Sequence, residues 1–296
     1  MKEIMIPADV PKNKEAEFIE NYQAITKDTG HLFLFSCDQK IEHLYDTFNP
    51  DDETIDTDAA DPEHLFRIAS QGTIGAMATQ LALIARYGKQ YRTVNYVAKL
   101  NSKTNLIPAT EKDPKSAELW TVKDVIAIKE QYDLAIRGIG VTVYPGSEYE
   151  DEMMQFAAQT IFEAHSHGLI AIAWMYPRGK AIKNDIDKNL LAGVTGAANA
   201  LGADFVKIKS PQDSNALKAI VAAAGNTKVL CAGGTQVNPQ QYLTQLYQQM
   251  REGNTAGTAT GRNIFQHNLA KAITMTHAIH AIVYEQATVQ DALKFL

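Results

Sequence analysis

Two lysines stand two residues apart in the apolar run Val206-Lys207-Ile208-Lys209. If the run is a strand, alternation puts Lys207 and Lys209 on one face and the β-branched pair on the other. Two ammonium groups on an inward face repel, and burial disfavours charge further, so at least one amine is driven toward its neutral form. A neutral amine attacks carbonyl carbon to give an imine. The competing reading is that both lysines neutralise buried carboxylates such as Asp38, and the local sequence leaves the two open. Trp174-Met-Tyr-Pro-Arg-Gly179 supplies further groups. Trp174 and Tyr176 share a face, and a phenol beside an amine-bound substrate can carry protons, although packing with the hydroxyl to water is the commoner use. Arg178 fits an anion contact or a loop salt bridge.

Cys231-Ala-Gly-Gly234 and Thr260-Gly-Arg-Asn263 each place glycine at the end of an apolar run. Glycine there lets backbone N–H groups approach an anion, a helix start near Asn263 adds its dipole, and Arg262 adds a charge-assisted donor. The eight histidines make no metal set. His165 and His167 point about 200° apart on a helix, and His277 and His280 have no nearby carboxylate or thiol to complete a tetrahedron. His43, in Asp38-Gln-Lys-Ile-Glu-His43, reads as orienting a loop.

The elements that must position these groups alternate strand with helix, the signature of βα units around a parallel sheet. Eight strands are expected: His31–Asp38, Thr73–Thr79, Thr93–Asn101, Gly138–Tyr144, Leu169–Tyr176, Asp204–Lys209, Lys228–Ala232 and Ala256–Gly261. Between them, Ser147-Glu-Tyr-Glu150 predicts a capping box whose helix runs to about His167 and stops at Gly168. Asn238-Pro239 predicts a capped helix start, and a final helical region runs with breaks from near Asn263 to Leu296. Two segments exceed a minimal barrel: Asp46–Glu63, with eight acids, reads as a long solvated loop, and Ser102–Thr121 as a polar insertion. There is no G-x-G-x-x-G turn, which argues against a doubly wound sheet. The expectation is one TIM (β/α)8 barrel domain over residues 1–296. Reactive groups then sit at the C-terminal strand ends, which hold Asp38, Lys99, Tyr144, Trp174, Tyr176, Lys207, Lys209, Gly233-Gly234 and Gly261-Arg262.

The chain has 296 residues, 45% hydrophobic and 21% charged, ample for a large core. Its net charge of −6, without a basic block, speaks against nucleic acid or an anionic membrane as partner. Neither a membrane span nor a signal peptide is expected. Cys37 and Cys231, both in apolar strand-like runs, read as reduced core thiols of a cytoplasmic protein.

Together these motifs resemble the archaeal-type class I fructose-bisphosphate aldolases and their DhnA-like relatives in the DeoC/LacD superfamily. The resemblance spans Cys37-Asp-Gln39 with Ile41-Glu-His43, Val97-Ala-Lys-Leu-Asn101, Val143-Tyr-Pro-Gly-Ser-Glu148, Trp174 to Gly179, Gly202 to Lys209, Gly233-Gly234 and Gly261-Arg-Asn263. It implies reversible cleavage of fructose 1,6-bisphosphate to two triose phosphates in glycolysis and gluconeogenesis. It also implies Lys207 as the Schiff-base lysine and Tyr176 as the acid/base, with Asp38 and Trp174 shaping the site and both glycine motifs on phosphate. Arg178 and Lys209 join as substrate contacts. No metal or cofactor is called for, the partner is a phosphorylated sugar, and a homo-oligomer is expected. The chain departs from the Asp-His-Gly of many members with Asp38-Gln39-Lys40. Relatives with that lysine carry out other aldol or transaldol steps, including heptulosonate-type ones. A metal-dependent enzyme on the same barrel and a non-catalytic sugar-phosphate binder are the other classes.

Overall fold

The computed structural model describes residues 4–44, 47–48, 51–211, 213 and 215–296. Eight strands form the barrel: β1 (Leu32–Ser36), β2 (Ala76–Gln80), β3 (Tyr96–Lys99), β4 (Ile136–Val143), β5 (Ile170–Met175), β6 (Phe205–Ile208), β7 (Lys228–Ala232) and β8 (Gly257–Thr260). All neighbours pair in parallel, and β1 closes the ring against both β2 and β8. Every strand expected from the sequence is present, most of them a few residues shorter than the apolar run that announced it. Among the described residues no helix is long and apolar enough to cross a membrane.

Alternation sorts the strand side chains into two cores. Phe33, Phe35, Ile139, Val141, Val206 and Ile208 face outward and pack under the surrounding helices. Leu32, Leu34, Val97, Ile170, Ile172, Trp174, Phe205 and Leu230 fill the barrel interior, with Phe18 and Ile25 of the helix Glu15–Thr26 joining them from below. Cys37 and Cys231 are buried free thiols. The plug helix is tied down by polar contacts: Asn21 donates to the Gly168 carbonyl, and Arg137 reaches both Glu20 and Asn21. Preceding it, Asp9 meets the fully buried His165, which also contacts Asp204.

Several local expectations hold. Asn238 caps the helix Pro239–Arg251 through the Gln240 N–H, with proline in its first turn. Gly168 follows the helix Glu150–Ser166 with φ of +69°, a conformation few other residues take readily. The capping box at Ser147 does not form. The Ser147 hydroxyl donates to the Pro114 carbonyl, Glu150 accepts from the Gly146 N–H, and the helix begins at Glu150. The acidic segment also differs from a wholly solvated loop, because Phe48, Ile55 and Ala59 are buried and Thr57–Ala60 is a 3-10 turn. Its first acid, Asp46, lies outside the described residues. In the polar segment after β3, Asn101–Ser102 and Ala117–Glu118 form a short antiparallel ladder.

Candidate active site

The inward positions change character toward the C-terminal strand ends. β1 reads Leu32, Leu34, Ser36; β3 reads Val97, Lys99; β6 reads Phe205, Lys207; β5 ends in Trp174 with Tyr176 just beyond. An apolar floor is thus topped by a polar layer, as expected where a barrel carries chemistry. β4 contributes glycine at 138 and 140; the Ile170 carbonyl closes on the first and the Trp174 ring fills the room beside the second. A Cβ at Gly140 would stand 2.6 Å from a Trp174 ring carbon.

Lys207 is 4% exposed, and its Nζ donates to Ser36 Oγ at 2.9 Å. The ammonium lies 5.2 Å from the Trp174 ring centroid and 6.0 Å from that of Tyr176. Burial pulls the Lys207 pKa down from the usual lysine range; Asp38 and Glu42 oppose that, and Arg262 adds to it. The expected repulsion from Lys209 is not the cause. β6 ends at Ile208, and Lys209 turns away to an ion pair with Asp185.

The second lysine that matters is Lys99, wholly buried, 4.0 Å from the Trp174 ring and donating to Thr142 Oγ1 at 2.5 Å. Burial lowers it to about 8, with Lys207 adding to the effect against Asp38 and Glu42. Trp174 therefore has two lysine amines close to its ring. Lys207 borders the mouth cavity, whereas Lys99 is not part of its wall.

That cavity holds about 130 Å³ and is bordered by Asp38, Tyr176, Arg178, Lys207, Lys209 and Arg262, together with the glycine turns. The structure thus brings the expected site residues to one mouth, Lys209 at its edge. Burial, then Asp38 and Glu42, push the Tyr176 phenol well above its ordinary pKa, so it holds its proton at neutral pH. Arg178 stacks over the rings of Tyr144 and Tyr176, at 5.3 and 5.9 Å.

The glycine turns are cross-braced by Asn263, which donates to the Gly233 and Thr235 carbonyls and accepts from the Val237 N–H. Gly233 spends its own N–H on the Ala259 carbonyl, and a Cβ there would overlap Thr260 Oγ1 at 2.0 Å. Its glycine is needed for strand packing. Gly234, at φ of +71° and with no atom within 4 Å of a Cβ, is the open member of the pair. Gly261 lets the β8 turn pass within 2.2 Å (Cβ to oxygen) of the Ser36 carbonyl, and Arg262 then begins a helical turn.

Two further groups stand at the mouth, His43, read from the sequence as orienting a loop, and Glu42, given no role there. His43, half-buried beside Arg262, is lowered to about 4, chiefly by burial, and so is a neutral imidazole. Glu42 ends the single helical turn Gln39–Glu42, is 8% exposed, and has a buried Oε1 without a hydrogen-bond partner among the described residues. Gln39 Oε1 and Trp174 Nε1, on residues that border the same cavity, are also buried and without a partner among the described residues. Native interiors rarely leave so many polar atoms unpaired together, and a polyhydroxylated ligand would satisfy them. Among the described residues no group of three His, Cys, Asp or Glu side chains is placed to hold a metal ion.

Residues 32–267 match the DeoC/LacD family aldolase model. A Methanocaldococcus jannaschii protein named fructose-bisphosphate aldolase/6-deoxy-5-ketofructose 1-phosphate synthase is 49% identical over 296 residues, covering 99% of this chain and 94% of its own length. Fructose-bisphosphate aldolase from Slackia heliotrinireducens superposes with a TM-score of 0.96 at 44% identity, covering 99% of this chain and 93% of that one. A Schiff-base-forming fructose-1,6-bisphosphate aldolase superposes at 0.79 with 27% identity, covering 90% of this chain and all of that one.

Proposed function

The chain belongs to the DeoC/LacD family of aldolases, and on that premise we propose that it is a class I fructose-1,6-bisphosphate aldolase whose nucleophile is Lys207. The observation that carries the reading is a buried amine, biased toward its neutral form, opening on a cavity shared with a protonated phenol and an arginine-bearing glycine turn.

Neutral Lys207 attacks the ketose C2, and loss of water gives an iminium. This cation draws the C3–C4 electron pair as the C4 hydroxyl surrenders its proton, releasing glyceraldehyde 3-phosphate. The enamine left behind takes a proton at C3 from Tyr176, and hydrolysis frees dihydroxyacetone phosphate and Lys207. The Asp38 carboxylate, the leading counter-charge acting on Lys207, compensates the iminium. Trp174 walls the amine, while Gly234, Gly261 and Arg262 take the phosphate next to C1, with Gly233 holding the turn. Arg178 and Lys209, which border the same cavity, are assigned to the distal part of the sugar.

The same enamine can add to a different aldehyde. The second activity named for the M. jannaschii relative corresponds to a three-carbon keto-aldehyde taking the place of glyceraldehyde 3-phosphate. The enzyme is proposed to act in the cytoplasm as a homo-oligomer, which sedimentation velocity tests. Borohydride reduction with dihydroxyacetone phosphate should add one triose phosphate per chain, mapped by peptide mass spectrometry to Lys207. An adduct at Lys99 or Lys209 would show the wrong lysine was named, and no adduct would remove the Schiff-base reading.

A further inference from the structure

We propose that Glu42 is a further catalytic residue, accepting the C4 hydroxyl proton as the C3–C4 bond breaks and returning it in the direction of synthesis. The inference rests on the Schiff-base reading of Lys207 and supplies the base which that chemistry requires. Tyr176 is poorly suited to the task, because a phenol that keeps its proton is an acid toward C3 and not a base toward C4. Of the two carboxylates at the mouth, Asp38 is the leading counter-charge of Lys207, a duty that grows once the iminium forms.

Glu42 is placed differently. Its helical turn hangs from the end of β1 over the mouth, it borders the same cavity as Tyr176 and Lys207, and its Oε1 is buried with no partner among the described residues. Asp38 faces it from its own turn, Lys99 from β3, Arg178 from beyond β5 and Lys207 from β6. Lys103 and the protonated phenols of Tyr144 and Tyr176 also feel its charge, and the neutral His43 is its chain neighbour. Burial and Asp38 outweigh the three cations and raise Glu42 to about 7. A carboxyl so balanced both takes and gives a proton near neutrality, the condition for efficient acid–base catalysis.

The step balances. The C4 hydroxyl proton passes to the Glu42 carboxylate, and the oxygen's electron pair becomes the aldehyde C=O. The C3–C4 pair moves toward C2 and neutralises the iminium as an enamine. After Tyr176 protonates C3, the Glu42 acid and the Tyr176 phenolate re-equilibrate through solvent, and both finish as they began.

The test separates chemistry at C4 from chemistry at C3, using the full chain. Glu42→Gln should lower kcat for fructose 1,6-bisphosphate cleavage by about 10²–10⁴-fold. Trapping of dihydroxyacetone phosphate on Lys207 and solvent exchange of its C3 proton should stay near wild type, since neither involves C4. The acidic limb of the cleavage pH profile near 7 should vanish in the variant, and that of C3 exchange should persist. Unchanged cleavage, or equal loss of cleavage, trapping and exchange, would overturn the proposal; the second result would make Glu42 a group that only positions Lys207. If Glu42→Gln does not fold, Glu42→Asp, with its carboxyl withdrawn by one methylene, must show the same selective loss or the proposal fails. Absence of any adduct in the wild type would sink the Schiff-base reading and this inference with it. Selective failure in the variants sinks the inference alone.

Discussion

Replacing Gly140 by alanine adds one methyl group at a crowded point behind the site. Its Cβ would lie 2.6 and 2.9 Å from two carbons of the Trp174 six-membered ring and 2.8 Å from Lys99 Cδ. Carbon atoms are at ease at about 3.5–4.0 Å, so each contact is short by about 1 Å. Retreat is blocked, because Trp174 and Lys99 are both fully enclosed. Overpacking of this kind costs about 1–3 kcal/mol. The kinetic effect should be larger, since a ring displaced by about 1 Å carries the wall of the Lys207 amine with it, and misplacement on that scale costs about 100-fold. Urea unfolding and kcat for bisphosphate cleavage read the two effects. Gly193→Ala is the opposing control: Gly193 is exposed in the helix Lys188–Ala200, with nothing within 4 Å of a Cβ, and alanine there should stabilise by about 0.5–1 kcal/mol. Combining Gly140→Ala with Trp174→Phe removes the ring atoms in conflict and should recover part of the lost stability. A Gly140→Ala protein with wild-type urea midpoint and kcat would refute the argument.

Tyr176→Phe keeps the ring and the fold; cleavage and C3 proton exchange should fall together by about 10²–10⁴-fold with the triose adduct still trappable, and normal exchange would return Tyr176 to a packing role. Arg262→Ala should raise KM for the bisphosphate by an amount equivalent to about 1.5–3 kcal/mol, and unchanged kinetics would place that phosphate elsewhere. Burial lowers the His165 pKa, but contacts to Asp204 and Asp9 overcome it and raise it from 6.5 to about 9. The folded state then binds the proton more tightly. On the order of 3 kcal/mol of stability is fully present below pH 6.5 and is lost as the pH rises through 9. His165→Gln should flatten the urea midpoint across that window, and an unaltered pH slope would contradict the assignment.

How far the sequence could be read depends on how local each cause is. Parity placed Lys207 inside the barrel, because Val206 and Ile208 on either side need the helices. The same parity failed for Lys209, since it holds only within the ladder and β6 stops one residue earlier. Ser147 and Glu150 have the spacing of a capping box, but the Pro114 carbonyl, 33 residues upstream, takes the hydroxyl. Gly233 looked like an anion contact and instead makes room for Thr260. Glu42 was illegible as a reactive group: a four-residue turn has no periodicity, and its cationic neighbours come from three different strand ends. His165 also shows its meaning only once Asp9 and Asp204 meet it from distant parts of the chain.

Closure of the ring between its first and last strands has a consequence for synthesis. Leu32 pairs with Gly257, about 225 residues later. At about 5–20 residues per second, a nascent chain carries β1 for roughly 10–45 s before its second neighbour exists. Meanwhile one edge of β1 offers unpaired backbone groups, a hazard of the kind chaperones attend to. The seam also passes through the reactive mouth: Ser36, the hydrogen-bond partner of Lys207, lies on one side, with Gly261 and Arg262 on the other. The turn that carries Gly261 and Arg262 is therefore assembled last, and a prematurely terminated chain lacks that side of the mouth even where seven strands have formed.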